Sequence, residues 1–251
     1  MSYFGRRTRL DKITLEKIDG YVNSLKSQGN SGATINRKLS ALSKVMRTAY
    51  ERGKLQAMPI FPRMREGEHR IRFLSYEEEQ NLIGALVHMG NKEQAEAVKI
   101  LLYTGMRTGE LWRLECRDVD LDAHTITLWK TKNGKPRTVP IVRNIIDLMS
   151  QLTSNKKDED KVITDGGHDW LRRPWDRVRS LLGYEDDLQF VPHMLRHTCA
   201  TRLSQKGVTM PIIKEWLGHT SITTTMRYTH FAQKDLFAAA ALLETREEKA
   251  M

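Results

Sequence analysis

Five short stretches place polar side chains where chemistry, rather than packing, gives them a reason to be. Thr-Gly-Met-Arg-Thr-Gly-Glu-Leu sets Arg107 between two glycines just ahead of a predicted helix. Thr-Lys-Asn-Gly-Lys carries Lys132 at the tip of a predicted hairpin. In Pro-His-Met-Leu-Arg-His, His193 and Arg196 lie three apart and so project from one helix face. Leu-Gly-His puts His219 directly after a predicted helix C-cap, and Tyr228 follows in Met-Arg-Tyr-Thr-His. Two guanidinium forks can clamp the non-bridging oxygens of one phosphodiester. Histidines can add hydrogen bonds there or move a proton, and a lysine can protonate a departing alkoxide. A tyrosine hydroxyl, with an ordinary pKa of about 10, becomes a useful nucleophile beside such a positive cluster. Together these groups would perform phosphoryl transfer through a covalent phosphotyrosine. Guanidinium groups would supply the charge neutralisation that a metal supplies elsewhere, so no metal or other cofactor is expected. Each residue alone has a plainer use as a cap, a solvated turn or a core side chain. Their order and spacing together carry the reading.

Those side chains need elements to hold them. Leu15, Ile18, Val22 and Leu25 predict a first helix ending near Gly29. Ser31 predicts an N-cap for a second, with Ile35, Leu39, Leu42, Val45, Met46 and Ala49 on one stripe and Gly53 as its stop. Arg37, Lys38, Lys44 and Arg47 occupy its other positions, a face suited to phosphates. Pro59, Pro62, Arg63, Arg65, Arg70 and Arg72 then predict a basic linker over 58–72, able to lie along nucleic acid. This leaves a helical domain at 1–57, short of core or missing a piece, and a larger domain at 73–251.

In the larger domain Ser-Tyr-Glu-Glu at Ser75 is a capping-box signal for one helix, and another spans about Lys92 to Tyr103. A short helix follows Thr108 and ends near Leu114. The period then switches to two: Thr125 to Trp129 and Arg137 to Val142 read as paired strands around a turn at Thr131 to Pro136. Helical signals return from Asn144, with helices around Trp175 to Leu182, at Met194 to Gln205, at Met210 to Leu217 closed by Gly218, after Ser221, and at 231–243. The fold class is mainly α with a small antiparallel β-sheet.

Lys and Arg total 41 against 31 Asp and Glu, a formal charge of +10 in 251 residues. That balance suits a polyanionic partner without proving one. The hydrophobic share, 39%, is too high for general disorder. The longest apolar run, Leu236 to Leu243, is too short to span a bilayer. Two cysteines, Cys116 and Cys199, make neither a disulfide framework nor a zinc site. A reduced intracellular protein with no membrane role is expected.

With Arg, hairpin Lys, His-x-x-Arg, His and Tyr in this order, the chain resembles the tyrosine recombinases, or phage integrase family, over roughly 72–230. The resemblance implies catalytic roles for Arg107, Lys132, His193, Arg196, His219 and Tyr228; Lys135 competes for the lysine position, and Lys132 is preferred because the family lysine precedes the glycine-containing tip. Glu110, at a frequently acidic family position, would support the site from behind. The resemblance further implies a recombinase catalytic domain preceded by a short core-binding domain, the two closing on double-stranded DNA at a specific site. It implies four copies acting together on DNA, with a Holliday junction between steps and accessory DNA-bending proteins as further partners. The helix at 231–243 would dock on its own domain or on a neighbouring copy. The expected location is the bacterial cytoplasm, on the nucleoid.

Three rival readings compete. His193 and His197 have the i, i+4 spacing of zinc hydrolases, but Met194 stands where the catalytic glutamate would be, and Arg196 would repel a cation. A DNA-binding regulator built on 209–229 has no use for Arg107, Lys132 and Tyr228 together. A type IB topoisomerase shares the chemistry, but the small size and the spacing from Leu-Gly-His to Tyr228 fit an integrase better.

Overall fold

A computed structural model describes residues 3–5, 7–67, 71–129, 131, 134–164 and 166–231. The chain divides into two compact units, Met1–Arg70 and Ile71–Met251.

The first unit is built on α1 (Leu15–Ser27) and α2 (Gly32–Glu51). Thr14 and Ser31 cap them through side-chain oxygens that accept from the backbone N–H three residues on. The apolar stripes meet: Ile18, Val22 and Leu25 bury against Ile35, Leu39, Met46 and Ala49. Two helices alone would leave this core half open. The rest of the cover comes from the segment read as a linker, whose Met58, Phe61 and Met64 pack on the same core. Asn36 fixes that segment by donating from Nδ2 to the Met64 carbonyl (2.9 Å) while its Oδ1 accepts from Met64 N–H (2.8 Å). The expected linker over 58–72 is therefore corrected: residues 58–64 belong to the helical unit, which extends to Arg70 rather than stopping at 57.

The second unit surrounds α4 (Lys92–Thr104), whose Ala95, Ala97, Val98, Ile100, Leu101 and Leu102 are all buried. Against it stand α3 (Tyr76–His88), α6 (Arg143–Thr153), α7 (His168–Leu181) and α8 (Met194–Gln205). Ser75 and Glu78 form the expected capping box at α3. The short helix α5 (Thr108–Leu111) leads into a three-stranded antiparallel sheet of β1 (Val119–Asp120), β2 (Thr125–Leu128) and β3 (Arg137–Pro140), in that order. Ile126 pairs with Val139 and Leu128 with Arg137, so these four side chains share the inward parity. Strand β1 is too short to leave a periodic signal, and β3 ends two residues before the predicted Val142. Helices α9 (Met210–Leu217) and α10 (Ile222–Met226) then lead to a 3₁₀ turn at Thr229–Phe231. Phe231 packs its ring against Phe73 of the same unit, 5.1 Å between centroids. The predicted helix at 231–243 lies beyond Phe231, outside the described residues, as do Lys132 and Arg70. Among the described residues no helix is long and apolar enough to cross a membrane.

Candidate active site

The site assembles where three helix ends and one strand meet. Helix α4 closes on Gly105, which adopts a left-handed conformation (φ 64°) and turns the chain so that Arg107 opens α5. Helix α8 presents Arg196 to that turn. Helix α9 closes on Gly218, also left-handed (φ 64°), and His219 follows at once. Trp216 ties α9 to α4 by donating from Nε1 to the Thr104 carbonyl (2.9 Å).

Arg196 is 3% exposed. Its Nη1 donates to the Gly105 carbonyl (2.6 Å) and its Nη2 to the Leu217 carbonyl. Both acceptors are neutral, and among the described residues no carboxylate pairs with this guanidinium. Burial, with Arg107 and Arg137 nearby, pulls its pKa down to about 10. A buried cation held only by carbonyl dipoles is poorly compensated, and the site gains from an arriving anion.

Glu110 organises the neighbouring cations. Its carboxylate accepts from the Arg107 backbone N–H (2.8 Å) and from Arg107 Nη1 (2.9 Å). It also accepts from Arg137 Nη1 (3.0 Å) and Nη2 (2.7 Å). Burial works against its charge, but Arg137 and Arg107 outweigh it and hold the carboxyl down at about 2.

At His193, His197 and His219 the charged form is disfavoured. Burial, and then Arg196, Arg107 and Arg227, lower His219 to about 3. Burial, then His193, Arg227 and Arg196, lower His197 to about 4. His193 is lowered by burial and by Arg196, Arg107 and Arg227, although the residue as a whole is exposed. His219 Nδ1 lies 2.8 Å from Thr225 Oγ1. His193 and His197 meet edge to face, 4.9 Å between centroids.

Tyr228 is 1% exposed. Its hydroxyl lies 2.7 Å from His197 Nδ1, and its carbonyl accepts from Ser204 Oγ (2.8 Å). Burial pushes the phenol up to about 12, against the opposing pull of Arg196 and Arg227. The hydroxyl thus rests against the residue that follows Arg196 on α8, but it is covered and neutral. Cys199, three residues beyond Arg196, lies under Gly105, where an added Cβ would come within 3.0 Å of its Sγ. Burial pushes that thiol up to about 12.

The structure thus gathers Arg107, Glu110, His193, Arg196, His219 and Tyr228 around the α4–α5 turn and α8. Two contributors escape the sequence reading. Arg137 holds Glu110 from β3, and its signal is a charge at the inward parity of a strand, in register with Leu128. His197 holds Tyr228, and its signal is the i, i+4 spacing from His193. Among the described residues no group of His, Cys, Asp and Glu is placed to hold a metal ion.

The basic residues of the first unit divide. Arg37, Lys44 and Arg47 line one groove together with Arg63. Lys38 points elsewhere and donates to Asn30 Oδ1 (3.2 Å). Arg72, expected on nucleic acid, is corrected: its guanidinium is held by Glu78 and by Asp187 (2.8 Å), and both carboxylates raise its pKa further. That pairing anchors the start of the second unit to α3 and to the segment before α8.

Comparison with known proteins bears on the family and the fold. The family model described as "Phage integrase family" matches residues 72–235, and "Phage integrase, N-terminal SAM-like domain" matches 1–53. A tyrosine recombinase of Thermosipho africanus is 26% identical over 260 residues, covering 97% of this chain and 88% of that protein. The integrase of Escherichia phage P2 is 31% identical over 235 residues, covering 92% of this chain and 65% of its own. Among solved structures, the integrase of transposon Tn1549 in complex with a circular intermediate DNA superposes with a TM-score of 0.71 at 21% identity, over 93% of this chain and 86% of that one. With its catalytic-domain match covering well over half of its length, the chain belongs to the phage integrase family, the tyrosine recombinases.

Proposed function

We propose that the chain is a site-specific DNA recombinase that cuts and rejoins duplex DNA through a phosphotyrosine at Tyr228. The observation that carries this reading is Arg196, a buried cation with carbonyl partners and no carboxylate, beside Arg107 and three neutral histidines. Such a site fits one phosphodiester: Arg107 and Arg196 neutralise the non-bridging oxygens as negative charge grows on them. His193 and His219 donate hydrogen bonds to the same group. Tyr228 leaves His197, its hydroxyl proton passes to a neutral imidazole of the site, and the phenolate oxygen attacks phosphorus. The Tyr228 oxygen–phosphorus bond forms as the bond to the 5′ oxygen breaks, and Lys132 protonates that oxygen. The product is a 3′-phosphotyrosine and a free 5′-hydroxyl. A 5′-hydroxyl from a partner strand reverses the step, so neither metal nor ATP enters the balance.

On this reading the substrate is double-stranded DNA carrying a specific site. Arg37, Lys44, Arg47 and Lys38 of the first unit, together with Arg70, contribute phosphate contacts. Four copies exchange strands through a Holliday junction on the bacterial nucleoid, with DNA-bending proteins as helpers.

The test is covalent capture. The chain is incubated with a pool of nicked duplexes with randomised centres, and DNA that stays attached through denaturation is sequenced. Wild-type protein should capture one family of sites. Tyr228→Phe should bind those sites with similar affinity, since one oxygen and no charge is removed, yet form no adduct. An adduct with the phenylalanine variant would assign the nucleophile elsewhere.

A further inference from the structure

Arg137 touches two fixed parts of the site, the Glu110 carboxylate and the end of α9. Its Nη1 and Nη2 donate to the two oxygens of Glu110 at 3.0 and 2.7 Å, and its Nε donates to the Trp216 carbonyl at 3.2 Å. Through Glu110 it reaches Arg107, whose backbone N–H and Nη1 bind the same carboxylate. Through Trp216 it reaches the C-terminus of α9, two residues before Gly218 and three before His219. Gly218 confirms how close the contact is. A Cβ there would fall 2.8 Å from Arg137 Cδ and 3.1 Å from its Nε and Nη1, in a backbone (φ +64°) that other residues rarely adopt. Arg137 itself begins β3, which pairs antiparallel with β2. Its side chain is 8% exposed, so the fork has no freedom to wander.

We propose that Arg137 is a positioning residue for DNA cleavage, its guanidinium setting the distance between Arg107 and His219. This rests on the recombinase reading above. A planar fork suits that role, because two parallel bonds fix the carboxylate plane and a third, from Nε, fixes the helix end at a set angle. A lysine could satisfy the charge of Glu110 from the same strand, but one ammonium cannot fix both directions. Charge and geometry are therefore separable by substitution.

The experiment uses the full chain and the duplex that the wild-type protein captures covalently from the randomised nicked pool. Three quantities are measured for wild type, Arg137→Lys and Arg137→Met: single-turnover adduct rate, DNA affinity and melting temperature. Arg137→Lys should melt near wild type and bind DNA within about threefold, yet form adduct on the order of 100-fold more slowly, the scale expected from a misplacement of about 1 Å. Arg137→Met should lose both melting temperature and rate. If Arg137→Lys regains rate along with stability, the fork geometry is irrelevant, Arg137 is only a counter-ion, and the proposal falls. A native adduct rate in Arg137→Met would also overturn it, with the recombinase reading left standing. If the wild-type chain captures no DNA, both readings fall together.

Discussion

Around Glu110, two hydrogen bonds from Arg107 and two from Arg137 fix a pair of guanidinium groups. Around Tyr228, a single hydrogen bond among the described residues, to His197, holds the hydroxyl. The arginine side is charged, multiply tied and set in place before any substrate arrives. The tyrosine side is uncharged, lightly tied and covered. Strong ties suit groups that must not reorganise while charge develops, because reorganisation would consume the stabilisation they offer. A weak tie suits a group that has to move. On the function proposed above, the contrast implies that the arginine side is ready in the free protein and that the tyrosine side becomes ready on assembly with DNA.

The most severe disruption of this contrast removes Arg196. Arg196→Ala should lower the single-turnover adduct rate by roughly a thousandfold or more, measured on the nicked duplex at saturating protein. A loss of only a few-fold would mean that the arginine side is scaffolding.

Next in size is Glu110→Gln, which strips the charge from the centre of the ionic cluster. It should destabilise the fold by about 3 kcal/mol at neutral pH, since Arg107 and Arg137 are left without their carboxylate. Urea unfolding checks this. The pH dependence has a definite sign. Because Glu110 is depressed from 4.5 to about 2, its contribution is full above 4.5 and is lost as pH falls towards 2. The gap between wild type and Glu110→Gln should therefore close across that window. A gap that stays constant would show that shape, not charge, sets its size.

On the tyrosine side the effects should be smaller. His197 is lowered from 6.5 to about 4, so the unfolded chain binds its proton more readily than the folded one. Stability should drop as pH falls from 6.5 towards 4. His197→Gln should flatten that limb by about 1 kcal/mol once solvent screening is allowed for, as read from melting curves across the range. Should the limb keep its slope, His193 and His219 carry it instead. Tyr228→Phe should cost about 1 kcal/mol by removing the bond to His197; a cost like that of Glu110→Gln would erase the contrast between the two sides.

The smallest effect lies outside the site. Arg47→Ala should weaken DNA binding modestly and reduce the slope of log affinity against log salt by about 1. Its adduct rate at saturation should match wild type. A slower rate would link the first unit to the chemistry.

Much of this site is legible in the chain, and the limits have physical causes. Helix α8 over Met194–Gln205 and helix α9 over Met210–Leu217 begin and end where the sequence reading puts them, because Pro192 and Pro211 lie at their starts and the left-handed Gly207 and Gly218 at their ends. Arg107, His193, Arg196, His219 and Tyr228 converge because their spacing already sets them at helix ends. What escapes is whatever depends on a tertiary partner. The segment 58–64 looks like a linker because Pro and Arg signal irregular chain, yet its apolar residues complete a core that two helices cannot close. Arg72 looks like a phosphate contact until Asp187, distant in sequence, claims it. The burial of Tyr228 against His197 leaves no local trace, since any tyrosine near a helix end could be covered or exposed.

Cys199 turns the closed state of the site into something that can be timed. Its side chain is 6% exposed under Gly105, in contact range of the turn that receives Arg196, and its thiol resists ionisation near neutral pH. An alkylating dye can reach it only when α8 and that turn part, and the thiolate is the reactive form. In a Cys116→Ser background the labelling rate becomes a stopwatch for how often the cleft breathes, with no need for substrate or turnover.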